Sequence, residues 1–232
     1  MIVIFDLDGT LIDSAPDIHA TANAVLAAEQ LGALDLPTVR SFIGRGVPHL
    51  VGQLLQAHGI VDERRHGRMV AAFGRLYDDA VGLTRPYPGV PAALAALQAD
   101  GHRLGVCTNK PVSPARSILR HLGLLDHFAA IIGGDSCPQR KPDPAPLRLA
   151  LAACGQGPAV YVGDSEIDAE CAAAAGLPLV LFTGGYRRTP VEDLPHRVAM
   201  DDFAILPAVI RELSRDVQGV VPNAHRAESA QG

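Results

Sequence analysis

With 232 residues, 48% of them hydrophobic and 19% charged, the chain has the make-up of a folded globular protein and leaves little room for long disorder. That length suits one good-sized core, or a core with a smaller inserted domain, at roughly 100–200 residues per domain. A net charge of −5, from 20 Lys and Arg against 25 Asp and Glu, excludes the broad cationic face that nucleic acids require, and no apolar run approaches the roughly 18 residues of a membrane span.

The chain starts on the strand-like run Ile2-Val3-Ile4-Phe5, without the charged, apolar and cleavable regions of a secretory signal, so a reduced cytoplasm is the expected setting. Comparable runs recur at 103–107, 130–132, 160–162 and 179–182, with helical patterns between them. Continuous apolar strands of this kind lie buried on both faces of a parallel sheet, with helices as crossovers, which predicts a doubly wound, Rossmann-like α/β core. Between the first two runs come helical patterns at 15–31, 47–58 and 62–81. A crossover needs only a dozen or so residues, so the surplus predicts a helical domain inserted at 14–83, the core taking 1–13 and 84–214.

Thr84-Arg85-Pro86-Tyr87-Pro88-Gly89 marks the return to the core, its two prolines stopping the helix. Ser113-Pro114 and Asp143-Pro144 each read as an N-cap followed by Pro at the first helical position. Residues 215–232, poor in apolar periodicity, are expected to form a flexible tail. Cys107, Cys137, Cys154 and Cys171 lie far apart with no C-x-x-C pair and read as thiols of the core.

Four strand ends carry the chemistry. Asp6-Leu7-Asp8-Gly9-Thr10 places two carboxylates directly after the first run, where a parallel sheet opens its ligand crevice, although Asp and Gly also suit a plain solvated turn. Thr108-Asn109-Lys110 ends the second run with a hydroxyl, an amide and an amine; the hydroxyl and nearby backbone N–H groups can donate to phosphoryl oxygens, or the segment is an ordinary loop. Lys141 sits in the proline-bounded Gln139-Arg140-Lys141-Pro142-Asp143-Pro144, as a solvated surface group or as a cation that offsets phosphoryl and carboxylate charge. Gly163-Asp164-Ser165-Glu166-Ile167-Asp168 offers Asp164 as an oxygen ligand for a hard cation such as magnesium, while Asp168 suits both metal-site support and helix capping from Ser165. In a doubly wound sheet these ends share one edge and can meet in one pocket.

On those residues the chain resembles the phosphatase branch of the haloacid dehalogenase superfamily, whose four ordered motifs match Asp6-x-Asp8-Gly9-Thr10, Thr108, Lys141 and Gly163-Asp164-x-x-x-Asp168. The helical insert is similar to that family's C1-type cap. The resemblance implies Asp6 as the nucleophile that forms an aspartyl-phosphate and Asp8 as the acid that protonates the leaving oxygen and later activates water. It implies Mg2+ held by Asp6, the Asp8 carbonyl and Asp164 with support from Asp168, a phosphoryl group gripped by Thr108 and Lys141, and Gly9 and Asn109 as further substrate-binding residues.

The segments Ser41-Phe42-Ile43-Gly44-Arg45-Gly46-Val47-Pro48-His49, Thr108-Asn109-Lys110-Pro111, Gly133-Gly134-Asp135 and Gly185-Tyr186-Arg187 are similar to bacterial phosphoglycolate phosphatases. A small phosphate ester is then the expected partner, with Arg45 as receptor for its carboxylate or as a surface residue of a helix-joining loop. Pyrophosphatase and sugar-phosphate phosphatase or phosphomutase activities keep the same four motifs, and a noncatalytic phosphoacceptor is a further reading. No Lys occurs in 14–83, which removes the Schiff-base nucleophile of phosphonate cleavage.

Overall fold

In the computed structural model, which describes residues 1–78 and 80–219, the strands are β1 (Ile2–Phe5), β2 (Ile12–Asp13), β3 (Arg85–Pro86), β4 (Arg103–Cys107), β5 (Ala130–Ile132), β6 (Ala159–Gly163), β7 (Leu179–Phe182) and β8 (Val198–Met200). Six of them form one parallel sheet in the order β5-β4-β1-β6-β7-β8. All five apolar runs of the sequence are strands of this sheet. The edge strand β8 was not anticipated, because three partly exposed residues carry too short a pattern to stand out.

The sheet is buried on both faces, and β1 shows how. Val3 and Phe5 belong to one apolar cluster, with Leu104, Val106, Val160 and Phe182, whereas Ile2 and Ile4 belong to the opposite one, with Leu147, Tyr161 and Leu181. Alternation along the strand therefore feeds two cores at once. Gly105 in the middle of β4 is needed by the second core, since a Cβ there would lie 2.6 Å from Cys154 Sγ and 2.8 Å from Ile4 Cδ1. Cys107, Cys154 and Cys171 are buried free thiols and Cys137 is half-buried.

Four helices, α1 (Ala15–Ala28), α2 (Leu36–Arg40), α3 (Val47–Ala57) and α4 (Glu63–Tyr77), lie between β2 and β3, which pair antiparallel. They hold a third apolar cluster of their own. Helix α1 contributes Ile18, Ala22, Val25 and Leu26 and α4 contributes Met69, Phe73 and Tyr77, each set at the helical spacing that makes one apolar face. Asp62 starts α4 by accepting from the Arg64 and Arg65 N–H groups. The chain segments that lead in and out are stapled by the buried Asp17, which accepts from Leu83 N at 3.1 Å, Thr84 N at 2.7 Å and Thr84 Oγ1 at 2.6 Å.

The remaining helices are α5 (Val90–Ala99), α6 (Val112–His121), α7 (Ala145–Cys154), α8 (Glu166–Ala175) and α9 (Leu206–Gly219). Two helix starts differ from the sequence reading. Helix α6 begins at Val112 with Pro111 as its cap, and Asp135 Oδ1 from another loop accepts the Val112 N–H at 2.8 Å, so Ser113 is inside the first turn. Helix α7 begins after Pro144, one residue later than expected, though Asp143 Oδ1 still accepts from Ala145 N at 2.8 Å. Helix α9 runs past Arg215, where a tail was expected to start. Leu206, Ile210 and Leu213 keep it on the core, and Asp216 pairs with Arg197 at 3.0 Å. The rest of the expected tail, 220–232, lies outside the described residues.

Candidate active site

The strand order decides where the site is. The chain begins at the middle of the sheet with β1, moves outward through β4 and β5, then returns to the other side of β1 for β6. The connections leave β1 in opposite directions, and the crevice at the carboxyl ends of such strands is the place where ligands bind. Register puts Phe5 level with both Val106 and Val162. Asp6, Thr108 and Asp164, which close these three strands, are thereby neighbours.

The side chains converge further than the backbone requires. Asp6, Asp164 and Asp168 each present an oxygen, and the three lie within 4.8 Å of one another, all buried. Lys141 Nζ, whose side chain is 1% exposed, is 2.9 Å from Asp6 Oδ1 and 2.7 Å from Asp168 Oδ1. Tyr161, buried within β6, adds its hydroxyl 2.8 Å from Lys141 Nζ and 2.9 Å from Asp168 Oδ1.

These carboxylates are not equivalent. Asp168 accepts from Ser165 Oγ at 2.7 Å, from the Ser165 and Asp164 N–H groups and from Lys141, and with Ser165 it forms a capping box at the start of α8. Burial alone would raise its pKa, but Lys141 and these donors hold it below the usual carboxylate range. Asp6 has no such shell. Burial, with the Asp168 and Asp8 charges beside it, outweighs Lys141 and pushes it up to about 7. Its Oδ1 faces Lys141 off the hydrogen-bonding direction and is a buried acceptor without a directed donor. Asp164 is likewise raised well above its ordinary value by burial and by Asp168 and Asp6, despite Thr10 Oγ1 at 2.6 Å and Tyr186 N at 2.7 Å.

One ammonium thus pairs with two of three clustered, buried carboxylates. Asp6 and Asp164 remain disfavoured as anions and all donors are hard oxygens, so the arrangement fits a small divalent cation held by Asp6 and Asp164. Gly9, at φ +86°, lets the chain turn tightly here, and a Cβ on it would sit 2.5 Å from Asp164 Oδ2.

Asp8 lines the same cleft as Asp6. Its Oδ1 accepts from Ser14 Oγ at 2.6 Å and from Lys110 Nζ at 3.1 Å. Asp6, Asp8, Thr108, Asn109 and Lys110 line the cleft from the sheet edge, while Ile18, Ile43, Val47, Leu50, Phe73 and Tyr77 wall it from the helical insert. The Asn109 side chain, at the cleft lining, bonds to backbone. It donates to Gly44 O and Lys141 O, both at 2.9 Å, and accepts from Lys141 N at 3.0 Å, so it clamps the lysine loop and the insert to the strand end. Arg45 is exposed on the loop between α2 and α3; Gly44 and Gly46 border the cleft and Arg45 does not.

Sequence reasoning gave no role to Lys110, Tyr77, Tyr161 or Tyr186. The signal for Lys110 was present in its position directly after Thr108-Asn109, but Tyr77 and Tyr161 read as core residues until the fold sets them beside lysines. Tyr186 ties the insert to the sheet: its hydroxyl accepts from Ser14 N at 2.8 Å and Ala15 N at 2.9 Å and donates to Asp13 Oδ1 at 2.7 Å, and the Arg40 guanidinium lies over its ring.

A family model for haloacid dehalogenase-like hydrolases matches residues 1–176. The chain belongs to that family. Among its relatives, a phosphoglycolate phosphatase of Cereibacter sphaeroides is 51% identical over 213 residues, covering 91% of this chain and 98% of the relative. One of Rhodospirillum rubrum is 43% identical over 212 residues, covering 88% of each. The crystal structure of a predicted phosphoglycolate phosphatase from Haemophilus somnus superposes with a TM-score of 0.84 at 32% identity, over 90% of this chain and 97% of that one. This haloacid dehalogenase-like hydrolase thus has phosphatases by name as relatives across nearly its whole length. No helix among the described residues is long and apolar enough to cross a membrane.

Proposed function

We propose that the protein is a magnesium-dependent phosphomonoesterase that works through an aspartyl-phosphate on Asp6 and hydrolyses 2-phosphoglycolate to glycolate and phosphate. The observation that carries the reading is the meeting of Asp6, Asp164 and Asp168 oxygens at one end of the sheet, with Lys141 paired to Asp6 and Asp168. The relatives' names supply the substrate.

In this reading an Asp6 oxygen attacks phosphorus in line with the ester oxygen. The P–O bond to the leaving group breaks, and the leaving oxygen takes a proton from Asp8. Both hydrogen bonds found on Asp8 fall on Oδ1, which leaves Oδ2 to carry that proton. Water then attacks the phosphorus of the aspartyl-phosphate, gives its proton to Asp8, and releases phosphate and free Asp6. Lys141 and Thr108 offset and position the charge of the transferring group, the main task in phosphoryl transfer. Asp6, the Asp8 carbonyl and Asp164, with Asp168 behind them, would hold the cation, which when bound would supply further charge neutralisation.

The helices between β2 and β3 serve as the cap of this site, closing over the strand ends and excluding water. Its apolar walls offer few partners for the hydroxyls of a sugar.

A panel of phosphoglycolate, pyrophosphate and hexose phosphates, each with and without magnesium, tests the proposal. Fastest turnover on phosphoglycolate, dependent on the metal, is expected. A phosphoprotein that accumulates without turnover instead points to a phosphoacceptor.

A further inference from the structure

Among the described residues, Lys110 is the single cation that lines the cleft. Its side chain is 4% exposed and comes from the loop after β4, yet its Nζ is carried across to the insert. There it lies 4.1 Å from the centre of the Tyr77 ring and donates to the Tyr77 hydroxyl. On the other side it is 3.1 Å from Asp8 Oδ1. An ammonium has three protons to donate, and these contacts use two. The cleft walls from α1, α3 and α4 are apolar, so among the described residues no other cation lines the cleft beyond Asp8, where the leaving group would lie.

We infer that Lys110, fixed in place by Tyr77, is the receptor for the carboxylate of the leaving group, and that it selects phosphate esters of short α-hydroxy acids. The inference deepens the phosphoglycolate reading and rests on it. Its basis is reach. Asp8 marks the place of the ester oxygen, because it must protonate that atom. In an α-hydroxy acid the carboxylate is separated from the same oxygen by one carbon, so its own oxygens lie roughly 3 Å away. A cation next to Asp8 meets that separation, whereas a charge at the far end of a longer molecule falls among Ile43, Val47, Leu50 and Phe73. Tyr77 holds the ammonium through its hydroxyl, which lowers the freedom Lys110 loses on binding.

The test compares phosphoglycolate with 2-hydroxyethyl phosphate, which has the same length and a hydroxyl in place of the carboxylate. Lys110→Met keeps the stem and removes the charge. Any harm it does to Asp8 affects both esters, so the ratio of their kcat/KM values is the readout. That ratio is expected to fall roughly 10–100-fold, the worth of one hydrogen bond between charged groups. Tyr77→Phe keeps the ring, drops the hydroxyl, and should lower the ratio by a smaller factor, through KM for phosphoglycolate. Melting curves identify a variant that fails to fold, in which case the other decides. A ratio unchanged in the folded variants, from a wild type that strongly prefers phosphoglycolate, overturns the role of Lys110 alone. A wild-type ratio near one overturns the substrate reading itself.

Discussion

Asp6 is a carboxylate whose burial, with the Asp168 and Asp8 charges nearby, opposes its ionisation more than Lys141 supports it, and such a group persists in a fold when it has work to do. Asp6→Asn is expected to abolish turnover and the trapping of labelled phosphate on the protein, while the metal-free melting temperature does not fall, because the amide relieves repulsion from Asp168. Asp8→Asn should behave differently: phosphoenzyme still forms from an ester with a good leaving group such as nitrophenolate, and its breakdown becomes slow. Lys141→Met belongs with these. It leaves Asp168 buried without its ammonium, and breaking a buried pair on one side costs about 3–5 kcal/mol. Urea unfolding without metal measures the loss, and an unchanged midpoint would sink the view that Lys141 compensates the cluster.

At the scale of elements, the helical insert is held by a few polar contacts at its root. Asp17 receives three donors from the outgoing segment at Leu83 and Thr84, so Asp17→Ala strands buried N–H groups. A loss of about 2 kcal/mol is expected in chemical unfolding, whereas Asp35→Ala, at the exposed start of α2, should have a much smaller effect. Helix starts teach a related lesson. Ser165 and Asp168 were legible as a cap because both partners of a capping box are local in sequence. The start of α6 was not, because the acceptor for Val112 N is Asp135, on a loop that only the folded sheet brings near. Gly105 is similar: nothing near it in sequence requires glycine, but Cys154 and Ile4 do, and Gly105→Ala is expected to cost about 1–3 kcal/mol by overpacking, read as a lower urea midpoint.

For the molecule as a whole, three clustered carboxylates with one ammonium paired to two of them leave an excess of negative charge that, in the proposed reading, a divalent cation would offset. Chelation should abolish hydrolysis, and magnesium at about a hundred times its dissociation constant should stabilise the fold by roughly 2.7 kcal/mol. For a chain of this size that corresponds to a melting temperature roughly 5–10 °C higher. A thermal scan with and without magnesium reads it directly, and the Asp164→Asn variant should lose most of the shift. Absence of any shift in the wild type would count against the cation site.

The sequence by itself determined the sheet's five apolar strands, the helical patterns between the first two of them and the identity of the residues at the strand ends. Those signals are local: an apolar run, a period of 3.6, or an acid next to a glycine needs no distant partner to be recognised. Tertiary structure decided which of those residues meet and what each is free to do. Strand order brought Asp6 beside Asp164, packing of the insert set Tyr77 against Lys110, and the same packing left Arg45 in solvent and committed Asn109 to the backbone. Charge and hydrogen bonding act over a few ångströms in space, and distance along the chain carries no measure of that.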